Sequence, residues 1–227
     1  MKLRVLGAAA VVCLISTVTF AETDLVSTKA QMSYALGVTM GKHIKDQGVP
    51  LDDHIYADAF EIGYQGEASE LSDDKIHSAM MAFQKQVLLL QEEQTTVVSE
   101  QNKQAGKTFL AENKTKDGVV TTDSGLQYKI IQAGSGDSPK RSDEVEVNYE
   151  GRLIDGTVFD SSFQRGQPAV FPVGAVISGW TEALQMMKPG SQWELFIPAE
   201  LAYGERGIGQ IGPNSTLIFT VDLIEVK

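Results

Sequence analysis

A chain of 227 residues, 42% of them hydrophobic and 22% charged, carries enough apolar material for one or two cored domains and is not disordered by composition. Its formal net charge of −11 argues against a nucleic-acid partner, which would need an excess of cations facing phosphate. A single cysteine, Cys13, excludes a disulfide framework and a cysteine metal site.

Residues 1–21 read as an export signal. Lys2 and Arg4 form a short basic start, Leu6 to Val18 is an apolar run, and Thr19-Phe20-Ala21 presents small residues at the two positions a signal peptidase reads, which places cleavage after Ala21. Cys13 lies inside this segment; as an acylation site it would follow Val12, a β-branched residue where a small one is wanted. No later stretch approaches ~20 apolar residues. The chain after cleavage is expected to be soluble, free of thiols and compatible with an oxidising compartment such as a periplasm.

Residues 22–71 read as a helical domain. Met32, Leu36, Met40 and Ile44 recur at four-residue spacing, Gly48-Val49-Pro50 breaks the run, and Ile55, Ala59 and Ile62 continue it, with Asp52 or Asp53 at the second start where a carboxylate suits the helix dipole. Two short helices bury little alone, so they require the next helix or a second copy of themselves. Residues 72–112 read as one connecting helix, since neither Gly nor Pro intervenes before Gly106; it would run roughly 60 Å at 1.5 Å per residue. Ile76, Met80, Phe83, Val87 and Leu90 form an a/d seam that wants a helix against it. Beyond Gln91 the seam turns polar through Gln94, Gln101 and Gln104, so the second half is expected to stand in solvent as a strut. Met32, Met40, Met80 and Met81 read either as adaptable core or as a surface for variable clients. His43, His54 and His77 lack partners at ligand spacing, which argues against a metal.

Residues 113–123 are a polar run that reads as a linker, and from residue 124 the periodicity turns to β. Leu126, Tyr128 and Ile130 alternate as one strand. Val145, Val147 and Tyr149 alternate as the next, and Asp155-Gly156 supplies the positive-φ residues of a tight hairpin. Phe159 and Asp160 then return on the adjoining strand, an aromatic beside an unpaired carboxylate, which is material for the wall of a cleft. Ala169 to Val173 is a further strand, Ile177, Trp180, Leu184 and Met187 lie at helical spacing, and Trp193, Leu195 and Ile197, then Leu217, Phe219, Val221 and Leu223, alternate as the last two strands. The sum is an α+β chain: an all-α N-terminal domain, a long connecting helix, and a C-terminal antiparallel sheet wrapped on one short helix.

Gly207 to Gly212 matches the spacing GxGxxG, but it leads into Pro213 and a strand rather than opening a helix, so it is a loop and not a dinucleotide site. The β-rich half contains no histidine, and no Ser or Cys there has a base to activate it, which removes covalent catalysis. What it holds instead is aromatic: Tyr149, Phe159, Phe171, Trp180, Trp193, Tyr203 and Phe219.

The segments VNYEGRLIDGTVFDSS, VISGWTEALQMMKPG, AYGERG and PNSTLIFTVDLIEV together resemble the FKBP-type peptidyl-prolyl isomerases over about Asp123 to Lys227. YALGVTMGKHIKDQG and the long helix resemble the exported subgroup typified by the macrophage infectivity potentiator. The resemblance implies an isomerase domain over 124–227 that rotates Xaa-Pro bonds in exported proteins without a cofactor or metal. It implies Trp180 as the floor under the prolyl ring, Tyr149, Phe159, Phe171 and Phe219 as walls, and Val176 and Ile177 as lining. The Ile177 N–H and the Tyr203 hydroxyl would bind substrate carbonyls, and Asp160 would sit at the edge near the twisting amide. It further implies proline-containing unfolded clients, a homodimer through the N-terminal helices, rapamycin-like macrolide inhibitors, and a periplasmic, outer-membrane or surface location. Two departures bear on substrate preference and macrolide affinity: Ala169 stands where small members have a Phe, and the loop Glu205 to Gly212 is one residue short, with Ile208 in place of a His. Two further readings stand beside catalysis. One is a dimeric chaperone whose helical half holds clients, the other a surface virulence factor.

Overall fold

A computed structural model describes residues 25–227, so the stretch read as an export signal, Cys13 with it, lies outside the described residues. The chain forms two compact units that divide between Ser72 and Asp73. In the first, α1 (Thr28–Asp46) starts at Ser27, whose hydroxyl accepts the Ala30 N–H at 3.1 Å. Its partner α2 (Asp53–Gln65) starts at Asp52, whose carboxylate accepts the His54 and Ile55 N–H groups, and ends at Gly66 in the left-handed conformation. Local sequence thus makes the helices, but tertiary burial barely supports them. Among the described residues of this unit only Val49 is buried, while Leu36 is 69% and Ile55 67% exposed.

The second unit opens with α3 (Asp73–Asn113), whose 41 residues run without a break. Its first half leaves Ile76 and Met80 exposed, with Phe83, Val87 and Leu90 partly covered. The second half is not a free strut, contrary to the expectation from its polar seam. Ser99, Asn102, Gly106, Phe109 and Asn113 recur at spacings of three and four, a stripe that lies against the sheet domain. The stripe escapes a hydrophobicity pattern because four of its five members are polar or glycine. A Cβ at Gly106 would stand 2.3 Å from the Thr216 hydroxyl oxygen, so glycine is what admits the close approach. Phe109 meets Phe196 at 6.0 Å between ring centroids. Asn113, fully buried, donates to Gln127 Oε1 at 3.0 Å, and Gln127 in turn donates to the Leu110 carbonyl, one of the acceptors left open at a helix end.

Seven strands follow: β1 (Val119–Thr121), β2 (Gln127–Gln132), β3 (Glu144–Leu153), β4 (Val158–Ser161), β5 (Ala169–Pro172), β6 (Ser191–Ile197) and β7 (Leu217–Val226). They form one antiparallel sheet in the order β1-β2-β6-β7-β3-β4, with β5 also on β3. The short β1, in the stretch read as polar linker, pairs Val119 with Lys129. In β2 the expected alternation fails at Ile130, which is exposed, next to a register shift between Ile130 and Gln132. The hairpin between β3 and β4 also differs from expectation. Leu153 N–H donates to Thr157 O, Gly156 N–H donates to Leu153 O, and only Gly156 has a positive φ, 91°. That is a three-residue loop ending on a left-handed glycine, with a bulge between Gly151 and Arg152, rather than a two-residue turn with both residues left-handed.

Helix α4 (Ser162–Arg165) is one turn after β4, and α5 (Ser178–Met186) packs against one face of the sheet. Trp180, Ala183 and Leu184 from α5 are buried there against Val145, Val147, Leu195, Leu217, Phe219 and Val221. On the other face Phe196 and Ile218 are each 5% exposed, on the strands that meet the Phe109 end of α3.

Candidate active site

Strand β3 has two neighbours along one edge. Glu144 to Val147 pair with β5, and Glu150 to Arg152 pair with β4. Tyr149 stands at the change-over, where its N–H donates to Ser162 Oγ at 2.9 Å instead of to a strand. The gap between β4 and β5 therefore opens beside Tyr149, and α5 passes behind it.

Five rings line this place. Trp180, 4% exposed, meets Tyr149, Phe171 and Phe219 with centroids 5.3, 5.9 and 5.2 Å away, each nearly perpendicular to the indole. Phe159 adds an edge contact to Phe219 at 5.5 Å. Perpendicular packing puts positive ring edges against negative faces, so the cluster is held by geometry as well as by area. Val176 and Ile177 pack against the same core. Ile177 sits just before α5, where its carbonyl accepts the Trp180 and Thr181 N–H groups, while its own N–H donates to no group among the described residues.

Asp160 is not an unpaired carboxylate. Arg165 donates to Asp160 Oδ1, the Tyr149 hydroxyl donates to Oδ2 at 2.5 Å, and Arg165 Nη2 donates to the Tyr149 oxygen at 2.8 Å. The guanidinium also lies over the Tyr149 ring, 5.3 Å from its centroid. Arg165 was not singled out from the sequence, although a signal for it exists. Ser161 caps α4 by accepting the Gln164 N–H, and Gly166 ends it in the left-handed conformation, so Ser-Ser-Phe-Gln-Arg-Gly spells one helical turn that brings the arginine back to Asp160.

Desolvation, the largest influence on Asp160, raises its pKa, but the hydrogen bonds from Tyr149 and Arg165 and the arginine charge outweigh it and hold the carboxyl below the ordinary 3.8. Burial, then the neighbouring carboxylate, pushes the Tyr149 phenol above 10.0. The lowered Asp160 stabilises the fold above 3.8 and loses that contribution as pH falls through its folded value; the raised Tyr149 stabilises below 10.0 and loses it as pH rises through its own. The triad accordingly keeps one charge state between pH about 5 and about 9. A pH profile of turnover measured over that range is expected to be flat, and a bell with an inflection near neutrality would contradict this description of the site.

Tyr203 stands apart from the five rings. It follows the turn Ala199–Leu201, is 38% exposed, and its hydroxyl makes no hydrogen bond among the described residues. Gly204, next to it, donates to the Ala199 carbonyl at 2.9 Å. Among the described residues no group of His, Cys, Asp and Glu is arranged to hold a metal, and no helix is long and apolar enough to cross a membrane.

Comparison with known proteins is consistent along the whole chain. Residues 136–224 match the family described as FKBP-type peptidyl-prolyl cis-trans isomerase, and residues 29–130 match the domain amino terminal to it. An outer membrane protein MIP of Legionella longbeachae is 45% identical over 100% of this chain and 99% of its own length. A peptidyl-prolyl cis-trans isomerase Mip of Coxiella burnetii is 44% identical over the same shares. The crystal structure of FkpA from Escherichia coli superposes with a TM-score of 0.74 at 37% identity, covering 89% of this chain and 98% of that one.

Proposed function

The chain belongs to the FKBP-type peptidyl-prolyl cis-trans isomerases, and from that premise we propose that it turns Xaa-Pro bonds in the ring-lined gap above Trp180. The observation that carries this placement is the perpendicular packing of Tyr149, Phe171 and Phe219 around a buried indole, with the N–H of Ile177, just before the same helix, donating to no group among the described residues. Rotation about a prolyl bond faces about 18–20 kcal/mol because amide resonance is lost at the twisted state. The twisted amide has a smaller dipole than the planar one, so an apolar, water-poor pocket stabilises it relative to water, and no bond has to break. The prolyl ring stacks on Trp180 between Tyr149, Phe159, Phe171 and Phe219, with Val176 and Ile177 as lining. The Ile177 N–H and the Tyr203 hydroxyl hold the flanking carbonyls while the amide turns. Asp160, kept charged and fixed by Tyr149 and Arg165, presents its field at the edge of the turning bond.

The Ile177 donor has a direct test. Ile177 has φ −58° and Val176 is extended with ψ 176°, both compatible with proline at 177. Ile177→Pro is expected to fold, because it removes an N–H that bonds nothing among the described residues, and to lower kcat/KM for a short Leu-Pro peptide about tenfold. Folding with undiminished turnover would sink the assignment of this donor.

The substrates are exported proteins with proline bonds awaiting isomerisation. Two features support export: the leader-like residues 1–21, and the printed name of the Legionella relative, an outer membrane protein. The chain forms a homodimer through its N-terminal helices, since faces carrying Leu36, Ile55 and the seam residue Met80 lie open and a second copy has the complementary pattern. Client holding by those same faces is the second reading, carried by their exposed Met32 and Met40. Macrolides of the rapamycin type would occupy the same gap.

A further inference from the structure

Among the described residues one non-glycine residue has a positive φ: Asn214, at 53°. Asparagine tolerates this region better than most residues, but a left-handed backbone still has to be held by its surroundings. Here it is held from two sides. Its N–H donates to the Gly204 carbonyl at 2.8 Å, next to Tyr203, and its side-chain Nδ2 donates to Ser99 Oγ at 2.7 Å, on α3. A second clamp runs in parallel. Asn102, one turn along the helix from Ser99, donates to the Pro213 carbonyl at 2.8 Å and to Ser215 Oγ at 3.3 Å. Ser215 in turn donates to the Gly212 carbonyl at 2.8 Å.

We infer that Asn214 is a positioning residue for the isomerase site, tying the Tyr203 loop to the long helix through Ser99; the inference rests on Tyr203 being a substrate-binding hydroxyl. The chain of contacts is continuous: Ser99 to the Asn214 side chain, the Asn214 backbone to Gly204, and Gly204 to Tyr203 by one peptide bond. Among the described residues the Tyr203 hydroxyl has no hydrogen-bond partner to fix it, so its place depends on what holds the loop. The helix supplies that support from outside the sheet domain.

The test separates support from mere stability. Asn214→Gly keeps the left-handed backbone without penalty and deletes only the side-chain link; Ser99→Ala deletes the same link from the helix side. Each variant of the full-length chain is assayed on a short Xaa-Pro peptide at a temperature where it is fully folded. Both are expected to lose about fivefold in kcat/KM, in line with one lost hydrogen bond, and Ser99→Thr, which keeps the hydroxyl, to retain the rate. In a Tyr203→Phe background, Asn214→Gly is expected to cost nothing further, because the link would then have no hydroxyl to position. Unchanged turnover in Asn214→Gly and Ser99→Ala beside a loss in Tyr203→Phe overturns the positioning role alone, as does a full additive loss in the double variant. Unchanged turnover in Tyr203→Phe overturns the reading of the hydroxyl and the positioning role with it.

Discussion

Trp180→Ala is expected to cost the sheet domain about 3–5 kcal/mol, the range for emptying the place of a buried aromatic, and to reduce prolyl turnover to the uncatalysed rate. Trp180 is 4% exposed and touches Tyr149, Phe171 and Phe219, so its removal leaves three rings facing a void. A loss of that size approaches the whole stability of many domains, and Trp180→Phe therefore provides the graded case, with a smaller cavity and a partial loss. Urea unfolding followed by Trp193 fluorescence reads the first effect and peptide turnover the second. A stable Trp180→Ala variant with native turnover would remove the indole from the site.

Gly151→Ala should produce the second largest effect by the opposite route. A Cβ there would lie 2.6 Å from Phe159 Cε2 and 2.6 Å from Phe219 Cε1, so two of the five rings must move. Replacing glycine in a strand ordinarily gains about 0.5–1 kcal/mol, whereas forcing atoms into a filled space costs about 1–3 kcal/mol. The overpacking wins, and the expected net is a destabilisation of about 1–2 kcal/mol, with turnover down by tenfold or more because the displaced rings are the proposed pocket walls. A stability gain in equilibrium unfolding would mean that the rings have room to spare.

Much of this was legible in the sequence, and the misses have physical causes. Alternation located β3, β6 and β7 because their inward residues, such as Val145, Leu195 and Val221, are apolar and fully buried. The family resemblance supplied the residues proposed for the pocket, and the structure brings the rings of Tyr149, Phe159, Phe171, Trp180 and Phe219 into contact. The docking of α3 stayed hidden because its contact stripe is built from Ser99, Asn102, Gly106 and Asn113, which bind through hydrogen bonds and close approach rather than apolar area. Asp160 read as unpaired because its partner, Arg165, is five residues on and reaches it only through the turn of α4. Sequence spacing alone does not reveal a pairing that depends on a one-turn helix.

The central claim is that the chain lowers the barrier to prolyl rotation at this gap, and the most direct measurement is the cis-to-trans rate of a short Xaa-Pro peptide. It would be made with the chain from Glu22 onward, beside Asp160→Ala, with and without rapamycin. The predicted result is an acceleration over the uncatalysed rate that falls about tenfold in Asp160→Ala and disappears with saturating macrolide. A rate equal to the uncatalysed one in the intact chain would contradict the account. An acceleration untouched by both the substitution and the macrolide would contradict the placement of the site.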